Sequence, residues 1–81
     1  MKKHTKIYFD YYDYCEQDFI PCEMCGAKAV DIHHLEAKGM GGSKTKDYIE
    51  NLIALCREHH IWCHSNKKFN AKAKEIHLRN L

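Results

Sequence analysis

With 81 residues, the chain has room for one small domain spanning 1–81, a size at which a core alone supplies only roughly 3–5 kcal/mol and a metal or disulfide staple is usually added. Five cysteines, an odd count, with no apolar stretch after Met1-Lys2-Lys3, argue against a secreted disulfide framework and for a reducing, cytoplasmic setting; no apolar run reaches the roughly 20 residues of a membrane span. The net charge of +2 is mild but uneven, with four Lys/Arg against six Asp/Glu in residues 1–35 and nine against five in 36–81, a polarity that favours a polyanion such as nucleic acid.

Tyr8, Tyr11, Tyr12 and Cys15 recur at i, i+3, i+4 and i+7, which predicts an amphipathic helix over 5–14. At helical spacing these residues, Cys15 included, are expected to pack rather than to stack on bases. Pro21 closes the segment, and the core of the domain is expected over 21–66. It opens with Cys22-Glu23-Met24-Cys25-Gly26, in which two thiolates can reach one metal ion while the glycine permits a sharp turn. A redox pair is the other use of CxxC, but it calls for a βαβ setting that this chain lacks. Cys56-Arg57-Glu58-His59 repeats the two-residue gap. Cys22, Cys25, Cys56 and His59 are therefore expected to hold a structural zinc, with Cys63 the alternative to His59 for the fourth place.

Between these knuckles, 27–35 reads as a strand and 51–55 as its antiparallel partner. The connection over 36–50 carries Gly39, Gly41 and Gly42 with Lys38, Lys44 and Lys46, and long loops in small domains tend to be functional. A helix is expected over 57–66, and a basic second helix over 69–81 with Ile76, Leu78 and Leu81 as apolar members. Lys38, Lys44, Lys46, Arg57, Lys67 and Lys68 are the expected phosphate contacts.

Five of the seven histidines fall between Asp31 and His64, denser than a core needs, since each buried imidazole requires partners. If the helix after Cys56 packs across the strands, His60 and His64 share one face and meet His33. Three imidazoles then bind one divalent cation with positions left open, the pattern of a catalytic metal. His34 should point to the other face and stand beside the ion unligated, as a base. A neutral histidine, with an ordinary pKa of about 6.5, suits that task. Asn51 could hold its other ring nitrogen directly or fix the loop. The expected product is a nicked phosphodiester.

CEMCG, DIHHLEAKGMGG and ENLIALCREHHIWCH, in this order over Pro21–His64, resemble the zinc-knuckle-bearing branch of the HNH endonuclease family. The resemblance implies an α+β fold, a small ββα-metal domain with flanking N- and C-terminal helices here. It also implies one catalytic divalent cation, of Mg²⁺, Mn²⁺, Ni²⁺ or Zn²⁺, and a helix near the minor groove of DNA. His34 matches the general base, Asn51 the central asparagine and His60 the final histidine; His33 stands where aspartate is often the ligand, and His64 matches the additional helix histidine of colicin-type nucleases. Double-stranded DNA is the expected partner, and the small footprint suits work beside a larger protein. The competing reading, a zinc-stapled nucleic-acid-binding module without catalysis, explains the knuckles and lysines but gives His34, His60 and His64 no purpose.

Overall fold

The computed structural model describes residues 2–36 and 47–81. Lys38, Lys44, Lys46 and the three loop glycines lie outside the described residues. Among the described residues the elements are, in chain order, α1 (Lys3–Tyr12), β1 (Asp31–His34), a 3-10 turn (Ile49–Asn51), β2 (Leu52–Leu55), α2 (Arg57–Ser65) and α3 (Lys67–Asn80).

Burial on both faces of β2 explains the arrangement, because all four of its residues are buried. It pairs antiparallel with β1 in the register Asp31–Leu55, Ile32–Ala54, His33–Ile53 and His34–Leu52. Since side chains alternate across a strand, Leu52, Ala54 and Ile32 meet Tyr8 and Ile20 on the side covered by α1. Ile53 and Leu55 face Leu35, Cys63 and Ala73 beneath α2 and α3. A two-stranded sheet is marginal in water, and these helices remove both its faces from solvent. The alternation also separates the neighbouring histidines, sending His33 toward α2 and His34 toward α1. No helix among the described residues is long and apolar enough to cross a membrane.

The helices keep their expected places with shifted boundaries, most informatively at the end of α1 and the start of α3. α1 stops at Asp13, whose φ of 59° is left-handed and whose N–H returns to the carbonyls of Phe9 and Asp10; Asp tolerates that conformation better than most side chains. Cys15 therefore lies beyond the helix. It is exposed, its thiol directed at Asp18 Oδ2 at 3.2 Å, which corrects the expectation that it packs. Tyr11 is exposed as well, so the buried stripe narrows to Tyr8 with the half-buried Tyr12. α3 begins earlier than expected, because Asn66 Oδ1 accepts the N–H groups of Lys68 and Phe69 as an N-cap. Its buried face is Ala73 and His77, while Leu78 and Leu81 are exposed.

His77 anchors α3 through a buried network. Its Nδ1 lies 2.8 and 2.9 Å from the two oxygens of Glu23, and its Nε2 lies 2.6 Å from the Ile49 carbonyl. Both partners can only accept, so both ring nitrogens donate and the ring is an imidazolium. Tyr8 and Asn80 donate to the same carboxylate at 2.7 and 3.0 Å. Burial alone would push His77 down, but the bonds to Glu23 and Ile49 outweigh it and raise its pKa above the ordinary 6.5. Burial would push Glu23 up, but the donors His77, Asn80 and Tyr8 hold it below the ordinary 4.5.

A raised histidine contributes stability that is complete below its unfolded pKa and fades as pH rises through the folded one; a lowered carboxylate contributes stability that fades as pH falls. The pair is therefore fully effective between the ordinary values of 4.5 and 6.5. Removing one partner of such a pair costs roughly 3–5 kcal/mol. We expect the difference in unfolding free energy between zinc-saturated wild type and His77→Gln to shrink as pH rises above 6.5. A difference independent of pH in denaturant titrations would contradict the imidazolium assignment.

Candidate functional site

The two knuckles meet at one end of the sheet. Gly26, at φ 79°, closes the first: its N–H reaches the Cys22 carbonyl at 2.8 Å, and the Cys22 N–H reaches Ala27 at 2.6 Å. A bridge between Pro21 and Lys28 completes this tight hairpin, which is why 27–30 lie outside β1. The second knuckle starts α2, with Cys56 at its N-cap and His59 in its first turn. Cys25 Sγ and Cys56 Sγ are 3.8 Å apart, and His59 Nδ1 lies 3.6 Å from Cys22 Sγ and 3.2 Å from Cys56 Sγ. A tetrahedron with Zn–S of about 2.3 Å and Zn–N of about 2.1 Å has S–S edges of about 3.8 Å and S–N edges of about 3.6 Å, so the four donors could hold zinc. Burial pushes the Cys22 thiol up, but N–H groups of Cys56, Met24 and Cys25 together with His59 bring it down to about 7. Phe69 stacks on His59 at 5.7 Å and fixes its plane. Cys63 is not in the group; it is buried in the core beneath α3, where desolvation pushes its thiol up to about 11.

The second group gathers His33, His60 and His64, whose donor atoms all lie within 4.8 Å of one another. Spacing of i, i+4 on α2 stacks His60 over His64, and the two Nε2 atoms are 3.0 Å apart. Donors about 2.1 Å from one ion and at right angles about it are separated by about 3.0 Å, so this pair has the bite of a metal chelate. His33, only 6% exposed, is oriented by Asn70. The Asn70 amide donates from Nδ2 to the Leu35 carbonyl at 2.7 Å, which turns its Oδ1 toward His33 Nε2 at 2.9 Å. The His33 Nε2–H must then donate, leaving the Nδ1 lone pair for an ion, the usual outer support of a ligating histidine. Burial lowers the pKa of His33, helped by His60, His64 and His34 and opposed by Asn70. Burial likewise lowers His60, against the pull of Asp31 3.9 Å away. Both are thereby kept neutral, as ligation requires.

His34 takes the opposite face of β1. Its Nε2 lies 2.7 Å from Asp47 Oδ1, and the ring of His4 from α1 packs against it at 4.5 Å. Among the described residues Asn51 makes no hydrogen bond to His34; its side chain brackets the Glu36 backbone, accepting from the N–H at 2.7 Å and donating to the carbonyl at 3.1 Å. It thus fixes where the loop leaves β1, and Asp47 orients the His34 ring. His33, His34, His60 and His64 nevertheless open on one cleft of about 350 Å³, with Asp31, His4 and Lys2 on its walls. Of the expected phosphate contacts among the described residues, Arg57, Lys67 and Lys68 are exposed, and none lines this cleft. No sequence pattern marks Asn70, Asp47 or His4, because only the fold brings them to the histidines.

A two-stranded antiparallel sheet crossed by a helix, with a Cys3His group at one end and three imidazoles between strand and helix, defines a small metal-binding ββα domain. The chain belongs to the HNH endonuclease family, whose family model matches residues 22–70, and membership points to a nuclease or nucleic-acid-related function. Over 46 residues it is 44% identical to the uncharacterized protein YdfU of Escherichia coli strain K12. That similarity covers 57% of this chain and 13% of YdfU, so the chain spans a small part of its relative's length. No solved structure matches.

Proposed function

We propose that this chain is a metal-dependent endonuclease that hydrolyses phosphodiester bonds in double-stranded DNA, with one catalytic cation, a structural zinc and His34 as general base. The observation that carries this reading is the convergence of His33, His60 and His64 on the cleft that also holds His34. His33, holding its lone pair on Nδ1, would hold the catalytic ion together with His60 and His64, and such an ion would supply charge neutralisation at the phosphate and at the leaving alkoxide. His34 donates its Nε2–H to Asp47, which leaves Nδ1 to take a proton from the attacking water. Asn51 holds the Glu36 backbone just beyond the end of β1, two residues from His34. Cys22, Cys25, Cys56 and His59 hold the zinc that staples the domain.

The test is nicking of supercoiled plasmid by the purified chain with Mg²⁺, Mn²⁺, Ni²⁺ or Zn²⁺ added singly. Conversion to open circles with at least one ion and none in chelator is expected; DNA binding without conversion under any ion would favour the non-catalytic binding module.

Lys67 and Lys68 are assigned phosphate contacts, in company with Arg57 and the loop lysines Lys38, Lys44 and Lys46. Phosphate contacts position without reading bases, and each contributes to the salt slope. Replacing Lys67 and Lys68 together with Ala should weaken binding to all DNA sequences alike and flatten the dependence of log K on log salt by about 2. An unchanged slope would remove these residues from the interface.

A further inference from the structure

We infer that His4, His34 and Asp47 form a third cation site, suited to a borderline transition ion such as Zn²⁺, and that filling it silences His34. The inference rests on His34 being the base. The donor atoms of the three residues lie within 4.8 Å of one another and share none with the other two groups. They come from three separate segments: α1 supplies His4, the last position of β1 supplies His34, and Asp47 precedes the 3-10 turn. Side-chain exposure is only 18% for His34 and 6% for Asp47, while His4 is half-buried on the wall of the cleft, from which an ion can enter. Two imidazoles and a carboxylate match Zn²⁺, Co²⁺ or Ni²⁺ far better than Mg²⁺, which prefers oxygen ligands. His34 Nε2 and Asp47 Oδ1, at 2.7 Å, need to part by only about 0.3 Å to reach the right-angle bite of donors about 2.1 Å from an ion. α1 lies outside the family-matched residues 22–70, so His4 is an addition of this chain to the common core.

The consequence follows from the valence of imidazole. A neutral ring has one lone pair and one N–H. When an ion takes the lone pair of His34 at either nitrogen, the other nitrogen keeps the proton and nothing remains to accept one from water. The same chain would then be active with Mn²⁺ at the His33, His60 and His64 group, and would be switched off when Zn²⁺ also fills the third site.

The site and its effect can be measured separately. Equilibrium dialysis of the full chain against Zn²⁺, with ions counted per folded chain, should give three for wild type and two for His4→Ala and for His4→Gln. Plasmid nicking with saturating Mn²⁺ is then followed as Zn²⁺ is added, each protein being compared with its own zinc-poor rate. Wild type should lose at least tenfold of its rate with the midpoint of third-ion uptake, and in His4→Ala that midpoint should rise roughly 10–100-fold or more, the loss typical even for an outer support of a metal site. Equal ion counts in wild type and both variants would overturn the site. A third ion that depends on His4 yet leaves nicking unchanged would overturn the silencing, and with it the role of His34 as base. Absence of nicking with any ion would defeat the base reading alone, while the ion counts would still decide the site.

Discussion

Cys22→Ser, or stripping of zinc by a strong chelator, is expected to unfold the domain rather than merely inactivate it. A domain of this size has a total stability of roughly 5–15 kcal/mol, and structural zinc in small domains contributes about 10–16 kcal/mol at neutral pH. Losing the second quantity removes all or most of the first. Structure adds a local reason, because Cys22 is 2% exposed within the cluster formed by Leu35, Ile53, Leu55, Cys63 and Ala73. The knuckle also carries Glu23, the acceptor for His77, Tyr8 and Asn80; opening it would release α1 and α3 together. Far-UV circular dichroism and thermal melting of the stripped chain are the check. His59→Cys should keep one zinc and the fold, since it exchanges one tetrahedral donor for another. Cys63→Ala should keep the zinc, because Cys63 lies outside the donor group.

The second large effect is on the chemistry. His34→Ala is expected to slow nicking by roughly 10²–10⁴-fold, the usual loss for a general base, while the protein keeps both the structural zinc and the catalytic ion. His60→Ala should lose the catalytic ion along with the activity, because it supplies one nitrogen of the pair 3.0 Å apart. Asp47→Asn should fall between wild type and His34→Ala, because the amide keeps a partner for the His34 ring but, able to donate as well as accept, no longer holds it in one tautomer. Metal analysis of the folded variants separates the two histidines, whatever their rates. Full nicking by His34→Ala would remove the mechanism.

Local spacing makes part of this site legible in the sequence itself. A gap of two residues brings Cys22 toward Cys25 and Cys56 toward His59, and i, i+4 on a helix superposes His60 and His64, so these contacts need no knowledge of the rest of the fold. Alternation along β1 likewise separates His33 from His34. What the sequence does not display depends on packing between distant segments. Asn70 reaches His33 across 37 positions and His77 reaches Glu23 across 54, and no short pattern marks either. His77 is hidden further by its surroundings, since Leu78 and Leu81 look like the buried face of α3 and are exposed. Cys15 departs from its expected packing because the tyrosine periodicity continues one turn past Asp13, where the backbone turns left-handed. Asn51 anchors the loop, one of the two roles expected of it, but its bonds to Glu36, rather than to His34, show only in the folded chain.

Nicking should require one cation at His33, His60 and His64 beyond the zinc of the knuckles. The decisive measurement follows nicking of supercoiled plasmid and ions bound per chain in the same samples, as Mn²⁺ is titrated into protein that carries only the knuckle zinc. The rate should rise in proportion to occupancy of one further ion and level off when that ion is fully bound. A chain that is folded, carries both ions and binds DNA, yet leaves the plasmid supercoiled, would contradict this mechanism.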